Sequence, residues 1–242
     1  MRKINMILTI GFMVILGVTS CKKKGCTDEN ATNYNADAKK DDGSCTYVPV
    51  ITLNGDANMT ISVSSGYIDQ GATAVDTDGT EIVVVADTTA INDSTVNQFT
   101  VTYSATNAHG TATATRTVDV IINHENYPGT YDVTDDCGGG TGLGLNNDPS
   151  IAAGANDNQI LINDFFAGVT TTYGTAICDI DGANITIPSA TESAPGGLGT
   201  ITYEGFGTMS DDGKTMTITY VYSNSTPITG GAGSCTATYT KQ

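Results

Sequence analysis

After Pro49 apolar and polar residues alternate with a period of two, in short runs separated by Gly, Asp, Asn and Ser. Phe99, Val101, Tyr103 and Ala105 share one phase, and Thr100, Thr102 and Ser104 the other. Such a period puts successive side chains on opposite faces of an extended chain, so each run predicts a half-buried strand. Between residues 48 and 123 the runs fall at 50–53, 59–63, 72–75, 81–86, 99–105 and around Val118 and Val120, after the Thr-Ala repeat that starts at Thr111. Six or seven short strands at this spacing predict a sandwich.

The same pattern resumes beyond Pro128, with runs at 130–134, 159–163, 169–172, 175–178, 184–187, 200–203, 215–222 and 235–240. In the longest, Met216, Ile218, Tyr220 and Tyr222 lie opposite Thr215, Thr217, Thr219 and Val221. Eight or so antiparallel strands with Gly and Asp turns predict a lipocalin-like barrel or a sandwich. The fold class is therefore all-β: a sandwich over 48–123, a linker at 124–128 containing His124, and a second antiparallel domain over 129–242.

The N-terminus follows another logic. Arg2 and Lys3 precede an apolar stretch from Ile7 to Val18, too short for a stable spanning helix and proportioned like an export signal. It ends in Val18-Thr19-Ser20-Cys21, which resembles a bacterial lipobox. The resemblance implies a signal peptide at 1–20 and a diacylglycerol on Cys21, with Lys22 to Lys24 opening a tether. Two or more acyl chains give a stable anchor. No later apolar run approaches the length of a membrane span.

Charge sharpens this picture. The 242 residues hold 10 Lys+Arg against 26 Asp+Glu, net −16, and removal of the signal would leave −18. From Thr46 onward Arg116, Lys214 and Lys241 are the only basic side chains. Nucleic acid is excluded as a natural partner, because phosphate neutralisation needs Lys and Arg. Anionic head groups would repel such a body, so the lipid must hold it at the membrane.

Six cysteines in an exported chain predict disulfides. With Cys21 lipidated, Cys26 and Cys45 bracket a polar segment that lacks a core, and pairing them closes it at a gain of roughly 3 kcal/mol. Cys137 follows the first strand of the last domain and Cys235 opens its last strand. First and last strands are neighbours in a closed barrel, so these two form the second expected pair, leaving Cys178 free and buried.

Residues 25–47, with Cys26-Thr27-Asp28, Ala31-Thr32-Asn33-Tyr34-Asn35 and Asp41-Asp42-Gly43-Ser44-Cys45, closely resemble a short module of secreted and lipid-anchored proteins of Bacteroidota-type bacteria. Asp28, Asp37, Asp41 and Asp42 gather carboxylates in this loop, a donor set suited to Ca²⁺; a solvated turn without an ion is the alternative. The string Tyr67-Ile-Asp-Gln-Gly-Ala-Thr-Ala-Val-Asp-Thr-Asp-Gly, with Phe99-Thr-Val-Thr-Tyr and Arg116-Thr-Val-Asp-Val, resembles a bacterial Ig-like family first filed as a domain of unknown function and also found in a pesticidal crystal toxin. That likeness implies an Ig-like spacer or adhesive module with no catalytic residues. Arg116 points with Val118 and Val120, and an inward Arg requires a carboxylate, expected to be Asp69 or Asp76.

Catalytic constellations are sparse. No phosphate-binding glycine motif fits, neither His109 nor His124 has a partner at zinc spacing, and a Ser-His-Asp or Cys-His site would need a His that the last domain lacks. Asp76-Thr-Asp-Gly, Asp179-Ile-Asp-Gly and Asp211-Asp-Gly could hold a cation but read first as hairpin turns. A two-carboxylate glycan hydrolase stays open in principle, although the chain has no Trp to serve as a sugar platform. The expectation is a non-enzymatic, lipid-anchored envelope protein that presents its last domain to a glycan or protein, with a lipocalin-like carrier of an apolar ligand as the alternative.

Overall fold

The alternating runs become strands whose inward residues build two cores. The structure is a computed structural model that describes residues 22–137, 149–163, 165, 174–193, 199–225 and 231–242. The signal peptide, Cys21 and the run at 169–172 lie outside the described residues. Within them there is no α-helix, only strands and one 3₁₀ turn, His124–Asn126.

In the first domain β1 (Val50–Leu53), β3 (Ala72–Val75) and β4 (Glu81–Ile82) form one sheet in that order. The facing sheet runs β2 (Asn58–Ser62), β7 (Gly110–Ile121), β6 (Asn97–Asn107), β5 (Val84–Asp87). The β2–β7 pair is parallel, Met59 opposite Val118, while β6 and β7 form a long hairpin. Val101, Tyr103 and Val118 are buried between the sheets against Ile51, Leu53, Tyr67 and Val84. The single run expected at 81–86 is two strands: β4 pairs with β3 and β5 with β6, so the chain changes sheets at Val83, which is left exposed. Alternation continues across such a corner, which is why the pattern conceals it.

The second domain is a closed antiparallel barrel of eight strands: β8 (Gly129–Asp135), β9 (Ser150–Ala153), β10 (Gln159–Ile162), β11 (Ala176–Asp181), β12 (Asn184–Ser193), β13 (Thr200–Met209), β14 (Thr215–Asn224) and β15 (Gly231–Lys241). Consecutive strands pair, and β15 returns to β8 with Tyr239 opposite Val133. Closure leaves no unpaired edge. Along β14 the residues Met216, Ile218, Tyr220 and Tyr222 are all buried, as the alternation requires. They join Ile160, Ile162, Cys178, Ile185, Ile187, Tyr203, Ala237 and Tyr239 in one interior cluster.

The two domains share that cluster, because Val63, Val120 and Ile122 of the sandwich pack into it. The segment 124–128 is consequently no free tether. Asn123 caps the 3₁₀ turn, Asn126 Nδ2 donates to Val63 O at 2.9 Å, and the fully buried Tyr127 donates to Gly182 O at 2.8 Å. Gly79, Gly182 and Gly213 close the Asp-Gly hairpins with φ of 85°, 56° and 67°, so these sites serve as turns.

Candidate functional site

Disulfides join Cys26 to Cys45 and Cys137 to Cys235, and Cys178 is free and buried. The second bond lies at the seam where β8 meets β15. Burial pushes the Cys178 thiol up to about 12, so it stays protonated and unreactive at neutral pH. Native protein should therefore give no reaction with a thiol reagent at pH 8, and one equivalent after unfolding without reductant. A thiol that titrates in the native state would contradict this burial.

The aspartates of the N-terminal loop are spread over local turns. Asp28 accepts from Asn30 N at 2.9 Å and from Tyr47 Oη at 2.7 Å, while Asp37 pairs with Lys23 at 2.8 Å. Asp41 accepts from Gly43 N and Asp42 from Ser44 N, each at 3.1 Å. Hydrogen bonds from Asn30 N and Tyr47 hold Asp28 below the usual carboxylate range, and Lys23 does so for Asp37. Among the described residues the one convergent group of acidic, Cys or His side chains is Asp135, Asp136, Cys137 and Cys235. A Ca²⁺ cage in the loop would thus require these turns to rearrange. In the convergent group the sulfurs are bonded to each other, Asp135 accepts from Tyr220 Oη, and Asp136 accepts from Thr236 N.

Arg116 lies wholly inside the sandwich. Its Nη1 donates to Asp69 Oδ1 at 2.9 Å and to Tyr103 Oη at 2.6 Å, its Nε to Asp56 O at 2.9 Å, and its Nη2 to Asn54 O and Gly71 O. Burial pushes the Asp69 carboxyl up, but hydrogen bonds from Tyr103, Gly71 N and Tyr67, together with the Arg116 charge, hold it below its usual range. Asp76 has no part in this network: it sits at the β3–β4 turn and accepts from Thr77 N and Asn107 Nδ2. The guanidinium has no donor to spare for a ligand, so the site is structural.

The outer wall of the barrel offers a different chemistry. On β13 the inward phase is Ile201, Tyr203, Gly205, Gly207 and Met209; the outward phase is Thr202, Glu204, Phe206 and Thr208. Gly205 lets β13 press onto β14, since a Cβ there would lie 2.8 Å from Thr219 O. Phe206, between Thr186 of β12 and Thr219 of β14, is 67% exposed, and Val221 beside Glu204 is 44% exposed. Two troughs flank this row. One of about 250 Å³ lies along Ser189, Thr202, Glu204, Val221 and Ser223, and one of about 180 Å³ along Glu204, Phe206, Thr219 and Val221. Among the described residues the barrel tyrosines Tyr131, Tyr203, Tyr220, Tyr222 and Tyr239 are, in contrast, buried. The expected run ended at Tyr203 because two glycines dilute the alternation; carrying its phase through them exposes Phe206.

Residues 51–120 match the family model described as bacterial surface protein, Ig-like domain. Among solved structures, the lipoprotein BT2262 from Bacteroides thetaiotaomicron is similar, with 13% identity and a TM-score of 0.27 over 80% of this chain and 100% of that one. No curated protein matches the chain. The sandwich at residues 51–120 is an Ig-like domain of the kind found in bacterial surface proteins.

Proposed function

We propose that this is a non-enzymatic cell-envelope lipoprotein, anchored at the outer membrane through Cys21, whose Ig-like domain holds the barrel away from the lipid so that its β12–β14 wall binds glycan. The observation that carries the reading is Phe206, a large ring on an outward strand position, flanked by Glu204 and a field of Thr and Ser hydroxyls. A ring face suits the C–H face of a sugar, and neighbouring carboxylate and hydroxyl oxygens accept from its hydroxyl groups. Solvent-facing apolar side chains of this size in a trough mark a contact surface better than scattered ones do.

A glycan array probed with the intact protein and with Phe206→Ala tests the reading. Binding should appear for the wild type without product release and fall about tenfold, 1.4 kcal/mol, in the variant. The stability of the variant should stay within about 0.5 kcal/mol of wild type, because the ring is exposed. Equal binding by both proteins would remove this wall from the reading. The anchor has its own assay: labelled palmitate should enter the wild type and be absent from Cys21→Ser.

A further inference from the structure

Where the Ig-like domain meets the barrel, a crevice of about 300 Å³ opens between Val63 and Ser64 after β2, Glu125 and Asn126 of the 3₁₀ turn, Asp212 to Lys214 of the β13–β14 turn, and Lys241 at the end of β15. Its walls are fixed by one backbone bond between the domains and one within the barrel. Val96 N donates to Asp211 O at 2.9 Å, and Lys241 N ties to Lys214 O at 2.8 Å. Gly213 is buried against Ile122 and Val63. Ser64 has φ of 60°, the one non-glycine residue in the left-handed region among the described residues. Backbone held in such a conformation concentrates at binding sites.

The charges are what make this crevice unlike the rest of the surface. Of the three cations beyond Thr46, Arg116 is sealed in the sandwich, so Lys214 and Lys241 are the two that a ligand could reach, and both line the crevice. Neither is within ion-pair distance of a carboxylate among the described residues. Lys241 Nζ spends one donor on Asn126 O at 2.9 Å, and the Lys214 ammonium makes no hydrogen bond or ion pair among the described residues, its charge only adding to the hydrogen bonds from Ser210 and Lys214 N that hold the Asp212 carboxyl below its usual range. Charges present only to neutralise Glu125 and Asp212 would sit on them. Meanwhile Glu125 accepts from Ser62 through one oxygen, Oε2, and Asp212 from Ser210 and Lys214 N through Oδ1, so these bonds leave the other carboxylate oxygen of each to a ligand.

We infer that this crevice binds a hydroxylated monocarboxylate of the acidic-sugar class, its carboxylate between Lys214 and Lys241 and its hydroxyls donating to Glu125 and Asp212. Ammonium donors beside carboxylate acceptors match a ligand that offers both an anion and O–H groups. The two acids disfavour a phosphate dianion by like-charge repulsion, and the volume is at the small end of ligand sites, enough for one sugar ring. The site is separate from the Phe206 wall and stands or falls without it.

Calorimetric titration of the full chain in detergent with glucuronate tests the inference, with glucose, acetate and inorganic phosphate as comparison ligands. Glucuronate should bind, and glucose should not. Lys214→Gln, an exposed change, should weaken glucuronate at least about tenfold with an unaltered melting temperature, and Lys241→Gln, which also gives up the bond to Asn126 O, should weaken it at least as much. Phe206→Ala should leave this binding intact, which separates it from the β12–β14 wall. Absent glucuronate binding, indifference to both lysine changes, or equal binding of acetate or phosphate would overturn it.

Discussion

Arg116→Met should destabilise the Ig-like domain by about 3–5 kcal/mol, the range for breaking a buried charge pair by removing one partner. The loss is large because the guanidinium serves the backbone as well as Asp69. It reaches Asp56 O and Asn54 O on the segment between β1 and β2, Gly71 O before β3, and Tyr103 on β6. Met would fill the volume and leave those oxygens, and the Asp69 carboxylate, without the donor. An unsatisfied buried acceptor alone costs about 1–3 kcal/mol. Denaturant melts followed by circular dichroism should show the loss, which is a large share of the about 5–15 kcal/mol that a domain carries in total. Arg116→Lys should recover little, since one ammonium cannot span the fork. Asp69→Asn, which keeps an acceptor for Tyr103, should cost less than Arg116→Met. A shift under about 1 kcal/mol for Arg116→Met would show that the network is dispensable.

That network also marks how far the sequence can be read. Phase alone put Arg116 with Val118 and Val120 on the inner face, and a buried cation needs an anion, so an acidic partner followed. Which acid it was depended on where the chain folds back. Asp69 lies on the crossing before β3, within reach of the guanidinium, whereas Asp76 is half-buried at the β3–β4 turn, where it accepts from Thr77 N and Asn107. Alternation carries no information about that choice. The barrel shows the same division. β14 is legible because Met216, Ile218, Tyr220 and Tyr222 hold one phase, and the second half of β15 because Cys235, Ala237 and Tyr239 do. β9 is not, being four residues, Ser-Ile-Ala-Ala, with two register pairs to β8. Its place is set by closure of the sheet, a property of the whole barrel.

The two least legible features are the ones to which binding is assigned by proposal. Phe206 lies between Gly205 and Gly207, which interrupt the inward phase, and those glycines are needed because β13 presses on β14 there. The junction crevice is assembled from residues as distant as Ser64 and Lys241, and from a linker whose polar sequence reads as a tether. Asn123 and Asn126 are polar because they cap a turn and hold Val63 O, and Tyr127 is aromatic because it plugs the barrel end. A polar linker and a polar cap have the same composition; only the burial of Ile122 and Tyr127 separates them.

Replacing Cys137 and Cys235 together by Ser should lower barrel stability by about 4–5 kcal/mol, the chain-entropy value for a loop near a hundred residues. The bond spans a sequence separation of 98, so it closes nearly the entire barrel, at the seam where β8 and β15 meet. Without it, that seam rests on the β8–β15 ladder, while the adjoining β8–β9 contact has only Gly129 opposite Ile151 and Thr130 opposite Ser150. The strand spectrum at room temperature should persist, because the interior cluster is unchanged, but the melting transition should move down. The loss should also spread into the Ig-like domain, since Val120 and Ile122 share the barrel's core. Cys26→Ser with Cys45→Ser provides the contrast. That pair closes a loop of 19 residues outside both cores, worth roughly 3 kcal/mol to the loop and close to nothing for the barrel transition. If both double variants moved the barrel transition equally, or the Cys137 and Cys235 pair failed to move it, the seam would not be where the barrel's stability is held.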